Sequence, residues 1–151
     1  MLFRSSSSLT NFLTPRQTQM RLLAGAFGLK SQMVKVGATQ FNFSGLPFTL
    51  TEVNSLMTSI PSNTSLLGPA FSRAATLKRL NSFNIIHFAT HSQFIVGKPE
   101  DSFIVFGNGE YIPLTEIKDL TMTNVDLVVL SACETALRDR KSTRLNSSHV
   151  D

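Results

Sequence analysis

The chain has 151 residues, a formal net charge of +4, and 42% apolar against 16% charged residues. This length suits one domain that buries roughly 70% of its unfolded surface, and the composition excludes an intrinsically disordered protein. No stretch of about 18 uncharged apolar residues is present, so no membrane-spanning helix is predicted. The single cysteine excludes an internal disulfide and a multi-cysteine zinc site. The basic residues are scattered without interleaved aromatic residues, which argues against a nucleic-acid partner.

The two ends of the chain differ in composition from its middle. Residues 1–44 are basic, contain no acidic residue and include a serine run, so we interpret them as an N-terminal extension or the edge of the domain, with a targeting segment as the alternative. Residues 139–149 match the in-frame translation of a common sequencing adapter, and residues 139–151 are therefore interpreted as a foreign, disordered tail. The domain itself is assigned to residues 45–138 and is expected to be cut short on its C-terminal side.

The first predicted element follows the basic N-terminal stretch. Met20–Gly28 is apolar enough for a short helix or strand, and Gly25 and Gly28 are expected to interrupt it. The spacing of Thr49 and Glu52 fits a capping box, in which the two side chains satisfy free backbone N–H groups at a helix start. Apolar residues repeat at helical spacing from there to the next proline, which predicts a helix that ends before that proline.

The rest of the chain alternates between strand-like and helix-like segments. The predicted elements are, in order, a strand at 65–67, a helix at 74–80, a strand at 83–90, a hairpin with strands at 102–106 and 111–114, a helix at 115–120 and a strand at 125–132. The strands at 83–90 and 125–132 are almost continuously apolar, which is typical of strands covered on both faces. This alternation predicts an α/β fold with a mainly parallel sheet.

Two histidines, His87 and His91, have the spacing of a helical metal-binding pair. On the predicted strand, four residues span roughly 13 Å. Bonds from histidine to zinc are only about 2 Å long, so the pair cannot share one ion. We therefore expect no metal, and we expect His87 to be a hydrogen-bonded core residue. His91 lies where the apolar run stops, at the carboxyl end of a strand, which is where open α/β sheets place their sites.

Cys133 occupies the same kind of position at the end of the second buried strand. The residues after it resemble a helix start, and a helix N-terminus favours the thiolate, which is the reactive form of cysteine. If the two strands are neighbours, His91 and Cys133 meet at one edge of the sheet as base and nucleophile. A buried, inert thiol is the alternative, because free cysteine is among the most buried residue types.

Two motifs resemble a known family when they are taken together. His87–His91 has the sequence HFATH, and Leu130–Ala136 has the sequence LSACETA. These motifs, and the order of the elements between residues 45 and 137, resemble the CHAT domain. That domain is the caspase-like domain found beside tetratricopeptide repeats, and it is related to separases and caspases.

The resemblance implies a caspase-haemoglobinase-like, three-layer α/β fold with a mainly parallel sheet. It implies that His91 is the general base and acid and that Cys133 is the nucleophile of a cysteine peptidase. The backbone N–H groups of Ser92 and Cys133 would form the oxyanion hole. Ser92 departs from the family pattern, which has glycine after the histidine, and a serine with positive φ would be strained there. A protein or peptide substrate, neighbouring tetratricopeptide repeats, no cofactor, no nucleic acid, no membrane and a cytoplasmic location are implied as well.

Two other functions stay open at this point. The first is a catalytically inactive CHAT-like scaffold that works with helical repeats, which the serine at position 92 favours. The second is an unrelated doubly wound domain that binds a nucleotide, although the sequence contains neither glycine-rich phosphate-binding pattern. As a truncated chain, the protein is expected to be unstable or inactive even if its full-length form is a peptidase.

Overall fold

A mixed sheet lies at the centre of the computed structural model, which describes residues 19–133. The strands are β1 (Arg21–Ala26), β2 (Gln32–Val36), β3 (Thr39–Phe43), β4 (Ser62–Leu67), β5 (Ile85–Gln93), β6 (Phe103–Val105), β7 (Tyr111–Pro113) and β8 (Leu127–Cys133). The α-helices are α1 (Pro47–Ser59), α2 (Arg73–Leu77) and α3 (Leu114–Ile117), and short 3-10 turns cover Gly68–Ala70, Leu80–Ser82 and Pro99–Asp101. The predicted α/β class is confirmed.

The main sheet is parallel in its central part and antiparallel at one corner. Strands β4, β1, β5 and β8 run parallel, with β1 paired to β4 and β5, and β5 paired to β8. The last two residues of β5, Ser92 and Gln93, pair antiparallel with β6, which in turn pairs with β7. Strands β2 and β3 form a separate hairpin between β1 and α1. The predicted strand at 83–90 therefore extends further than expected, because β6 continues its hydrogen bonding.

Strand β1 shows that one expectation from the sequence is wrong. Gly25 does not interrupt the segment, because Arg21–Ala26 is a continuous strand between β4 and β5. A Cβ atom on Gly25 would lie 2.6 Å from Cδ1 of Phe71. The buried Phe71 ring thus packs directly over the backbone of β1, and the glycine is required by this packing and does not mark a break.

Helix α1 extends to Ser59 as predicted, but the predicted capping box is wrong. The helix begins at Pro47, and Leu46 at its N-cap makes no side-chain cap. Proline suits the first helical turn, where its missing N–H is not needed. Thr49 consequently lies inside the helix, where its Oγ1 donates to the carbonyl of Leu46 (2.6 Å) and accepts from the N–H of Gly28 (3.1 Å). Glu52 is directed toward β5 and takes no part in capping.

Three apolar clusters surround the sheet. One lies on the face that carries Phe71 and Ile86, and a second lies where α1 packs through Val53 against small residues of β1 and β5. The third cluster joins the β2–β3 hairpin to the carboxyl end of β1 and to β6. Its buried aromatic residues are Phe27, Phe41, Phe43 and Phe103. This aromatic cluster places the hairpin against the edge of the sheet where the candidate site lies. Within residues 19–133, no helix has the length and apolar character needed to cross a membrane.

Candidate active site at the junction of β5 and β8

The two motif residues lie opposite each other on neighbouring strands. The parallel register of β5 and β8 runs from Ile85 opposite Leu127 to His91 opposite Cys133. Neighbouring strands are about 4.8 Å apart, so the backbones of His91 and Cys133 are one strand spacing apart. The structure thus brings together the two residues that the sequence analysis singled out. His91 differs from expectation in one respect, because β5 continues for two residues beyond it.

The imidazole of His91 is enclosed by the β2–β3 hairpin and the end of β1. Its side chain is fully buried. The ring of Phe27 makes an edge contact with it at a centroid distance of 4.6 Å, and the ring of Phe43 lies at 4.9 Å. His91 Nε2 donates a hydrogen bond to the carbonyl oxygen of Ser44 at 2.7 Å, since a carbonyl can only accept. In the neutral imidazole, Nδ1 is therefore the nitrogen that can accept a proton.

The position of Ser44 is fixed by close backbone contacts beside it. A Cβ atom on Gly45 would lie 2.6 Å from the carbonyl carbon of Leu29 and closer still to its oxygen. The N–H of Leu46 donates to the carbonyl of Gly28 at 2.7 Å and closes the loop that contains the hairpin. The carbonyl that holds His91 is thus anchored to the end of the central strand β1. Sequence analysis did not identify Gly45, and its only signal was a glycine next to the predicted helix start.

Ser92 continues β5 in an extended conformation. It is 5% exposed and pairs with Ile104 of β6. Among residues 19–133 no residue other than glycine has a positive φ, so the strain expected at Ser92 is absent. The physical reason is the pairing with β6, which keeps the backbone in the β region. The role of Ser92 and Cys133 as oxyanion donors stays a prediction.

A second polar group lies on β5 four residues before His91. His87 Nε2 is 2.5 Å from Oε2 of Glu52, and the Oγ of Ser131 donates to Oε1 of the same carboxylate at 3.1 Å. The His87 side chain is only 13% exposed, so the expectation of a hydrogen-bonded core histidine is confirmed. Glu52 links α1 to both strands of the candidate site. The sequence contained a usable signal, because Glu52 lies one turn from the buried Thr49 on the inward side of the helix.

The two histidines do not form a metal pair. His87 binds the carboxylate of Glu52, whereas His91 binds the carbonyl of Ser44. In the part of the chain that the structure describes, no group of three or more histidine, cysteine, aspartate or glutamate side chains is arranged to hold an ion. The junction itself contributes the imidazole of His91 and the cysteine at position 133 on adjacent strands.

Comparison with known proteins gives one family. The family model described as CHAT domain matches residues 2–148 of the chain. Neither the curated proteins nor the solved structures contain a match.

Proposed function

The chain belongs to the CHAT-domain family, and on that premise we propose that it carries the His–Cys dyad of a cysteine endopeptidase. The observation that supports the proposal most strongly is the register that sets His91 directly opposite Cys133. A base and a thiol on adjacent strands are the minimal apparatus for acyl transfer to cysteine. The substrate is a protein or peptide chain, and the intermediate is a thioester. The class of enzyme that we propose is a caspase-like peptidase.

His91 supplies the proton transfers in the proposed reaction. Its Nδ1 takes the thiol proton of Cys133, and the thiolate attacks the scissile carbonyl carbon to form a C–S bond. When the C–N bond breaks, the imidazolium returns that proton to the leaving amine. A water molecule then gives its proton to Nδ1 and attacks the thioester, which releases the acid and restores the thiol. The hydrogen bond from Nε2 to Ser44 keeps the tautomer and orientation of the ring that these steps need.

Backbone donors complete the proposed site. The N–H groups of Ser92 and Cys133 belong to adjacent strands at the same end of the sheet, and we assign them to the oxyanion. Because Ser92 is extended and unstrained, serine can replace glycine here without a conformational penalty. The family's preference for glycine would then concern space near the substrate and not backbone strain.

The proposal is tested by the reactivity of the one cysteine in the chain. Alkylation of Cys133 by iodoacetamide and by a peptidyl thiol-directed inhibitor is measured from pH 5 to pH 9 in the wild type and in His91→Asn. The expected result is labelling of the wild type at least 100-fold faster than a free thiol at pH 6, and loss of this advantage in His91→Asn. Capture by the peptidyl inhibitor would also overturn the expectation that the truncated chain is inactive. Ser44→Ala serves as the control, because it keeps the backbone carbonyl that holds the imidazole. Equal labelling rates in all three proteins, with the pH profile of a free thiol, would refute the dyad.

The burial of His91 favours a second candidate function, a catalytically inactive module that works with tetratricopeptide repeats. The imidazole is fully buried beneath Phe27 and Phe43, which restricts the approach of a peptide from that side. An inactive module would retain the fold and the register but would label as a free thiol. The alkylation experiment therefore separates the two candidates.

A further inference from the structure

A polar cavity lies next to the candidate site, between the β2–β3 hairpin and the end of β5. Its volume is about 210 Å³. Thr39, Gln93 and Asp101 contribute polar groups to its lining, and Phe41 and Phe103 form apolar walls. This space is large enough to hold one long side chain. We call it the hairpin cavity.

Gln93 is the buried polar residue of the hairpin cavity. It is 4% exposed, and its Nε2 donates to the backbone carbonyl of Asp101 at 3.2 Å. Its Oε1 is buried and has no hydrogen-bond partner among residues 19–133. A buried carbonyl oxygen without a donor is unfavourable, and such groups are rare in native proteins unless they serve a ligand or bind water. The unsatisfied oxygen therefore calls for a hydrogen-bond donor at this position.

The hairpin cavity lies two residues along β5 from the proposed base. Gln93 follows His91 by two residues on the same strand, so both side chains leave β5 on the same face. Two residues along a strand correspond to about 6.6 Å. An extended peptide has the same spacing, so a peptide that enters from the cavity side would have a side chain at the cavity when its scissile bond is near the dyad.

The charge of the lining determines which side chain would enter. Among the described residues that line the hairpin cavity, Asp101 is the ionisable one, and no lysine or arginine accompanies it. The Asp101 carboxylate and Gln93 Oε1 are acceptors. Building on the proposed peptidase function, we propose that the hairpin cavity is a substrate subsite for an arginine or lysine side chain. Arginine fits better, because its guanidinium offers several donors to two separate acceptors.

Matched peptides test the subsite without requiring turnover. The probes are fluorescent eight-residue peptides that carry arginine, citrulline or norleucine at one position and are otherwise identical. This position is scanned along the peptide, and each peptide is titrated into the full chain with Cys133→Ala. The expected result is at least tenfold tighter binding of one arginine peptide than of its citrulline counterpart. Asp101→Asn should remove this preference. Glu100→Gln, which changes a neighbouring carboxylate that does not line the cavity, should keep it. Equal effects of Asp101→Asn and Glu100→Gln would overturn the proposal, since they would indicate general electrostatic attraction.

Gln93→Leu separates a role of Gln93 in peptide binding from a purely structural role. Replacing an unpartnered buried amide by an apolar side chain of similar size should keep or raise the thermal midpoint, whereas it should weaken binding of the arginine peptide. A lower midpoint with unchanged peptide preference would show that Gln93 is only structural and would overturn the proposal.

The subsite and the dyad can fail independently. An arginine preference that depends on Asp101, found in a protein whose Cys133 labels as a free thiol, would support the subsite and refute the peptidase. Fast labelling of Cys133 by arginine and citrulline inhibitors at equal rates would support the peptidase and refute the subsite.

Discussion

Gly45→Ala tests whether the backbone beside Ser44 holds the His91 imidazole. The added Cβ would lie 2.6 Å from the carbonyl carbon of Leu29, whereas real Cβ contacts are essentially never below 3.0 Å. Because the Leu29 oxygen is closer still, the two backbone segments must separate by on the order of 1 Å. Such a shift would lengthen the 2.7 Å bond from His91 Nε2 to the Ser44 carbonyl beyond hydrogen-bonding distance.

Two effects contribute to the loss of stability expected for Gly45→Ala. Overpacking of this kind costs about 1–3 kcal/mol, and a buried donor left without its acceptor costs about 1–3 kcal/mol. Partial relaxation makes the two overlap, so we expect Gly45→Ala to lower the free energy of unfolding by about 2–4 kcal/mol, measured by urea denaturation. In the proposed peptidase, a misplacement of 1 Å would also slow alkylation of Cys133 at pH 6 by about 100-fold.

Ser44→Ala is the matched control for this prediction. The Ser44 side chain is exposed and only its carbonyl oxygen contacts the imidazole, so this variant should unfold within about 0.5 kcal/mol of the wild type. If Gly45→Ala is as stable as Ser44→Ala, the contact with Leu29 is not as tight as the structure indicates. If Gly45→Ala is destabilised but Cys133 reacts as in the wild type, the Ser44 carbonyl does not position His91.

Three further predictions concern the rest of the fold. Gly25→Ala should lower the free energy of unfolding by about 1–3 kcal/mol, because its Cβ would press on the Phe71 ring; an unchanged urea midpoint would contradict this packing. Glu52→Leu should lower the free energy of unfolding by about 1–2 kcal/mol in the same assay, because it removes the charge-assisted hydrogen bond to His87 from a side chain that is 28% exposed. A more stable variant would show that the hydrogen bonds of Glu52 to His87 and Ser131 do not stabilise the fold. The Arg73 guanidinium lowers the pKa of Glu116 through a hydrogen bond, so this pair stabilises the fold above pH 4.5 and less as the pH falls through the lowered pKa. Arg73→Gln should therefore lower the thermal midpoint at pH 7 and approach the wild type in acid, whereas a pH-independent difference would exclude the pair as its cause.

The strands of the central sheet could be predicted where one pattern was sufficient. The runs at 83–90 and 125–132 are almost continuously apolar, and the structure places them side by side as a parallel pair. The expectation that the second run is covered on both faces is wrong, because β8 pairs only with β5 among the described strands and its Leu127 and Val128 side chains are about half exposed. Strand β1 could not be read in the same way, because Gly25 is explained only by the Phe71 ring, which is distant in sequence. The start of α1 was misjudged because Thr49 and Glu52 have the spacing of a cap but bond to partners on other elements.

The candidate site was only partly predictable for the same reason. His91 and Cys133 were identified because both follow apolar runs, and their opposition depends only on strand pairing. The groups that hold the imidazole are a backbone carbonyl at Ser44 and two phenylalanine rings, and neither type has a sequence signature. Gln93 has no sequence signature either, because its place in the hairpin cavity depends on the packing of the β2–β3 hairpin against the end of β5.

The residues that enclose His91 are translated before Cys133. Phe27, Phe43 and Ser44 all precede His91 in the chain, whereas Cys133 follows it by 42 residues. Ribosomes add about 5–20 residues per second and proteins fold from the N-terminal side, so roughly 2–8 seconds separate the translation of the two residues. During that interval the imidazole and its surroundings already exist while the sulfur does not. A nascent chain therefore cannot attack neighbouring polypeptides through the proposed dyad until β8 has been translated.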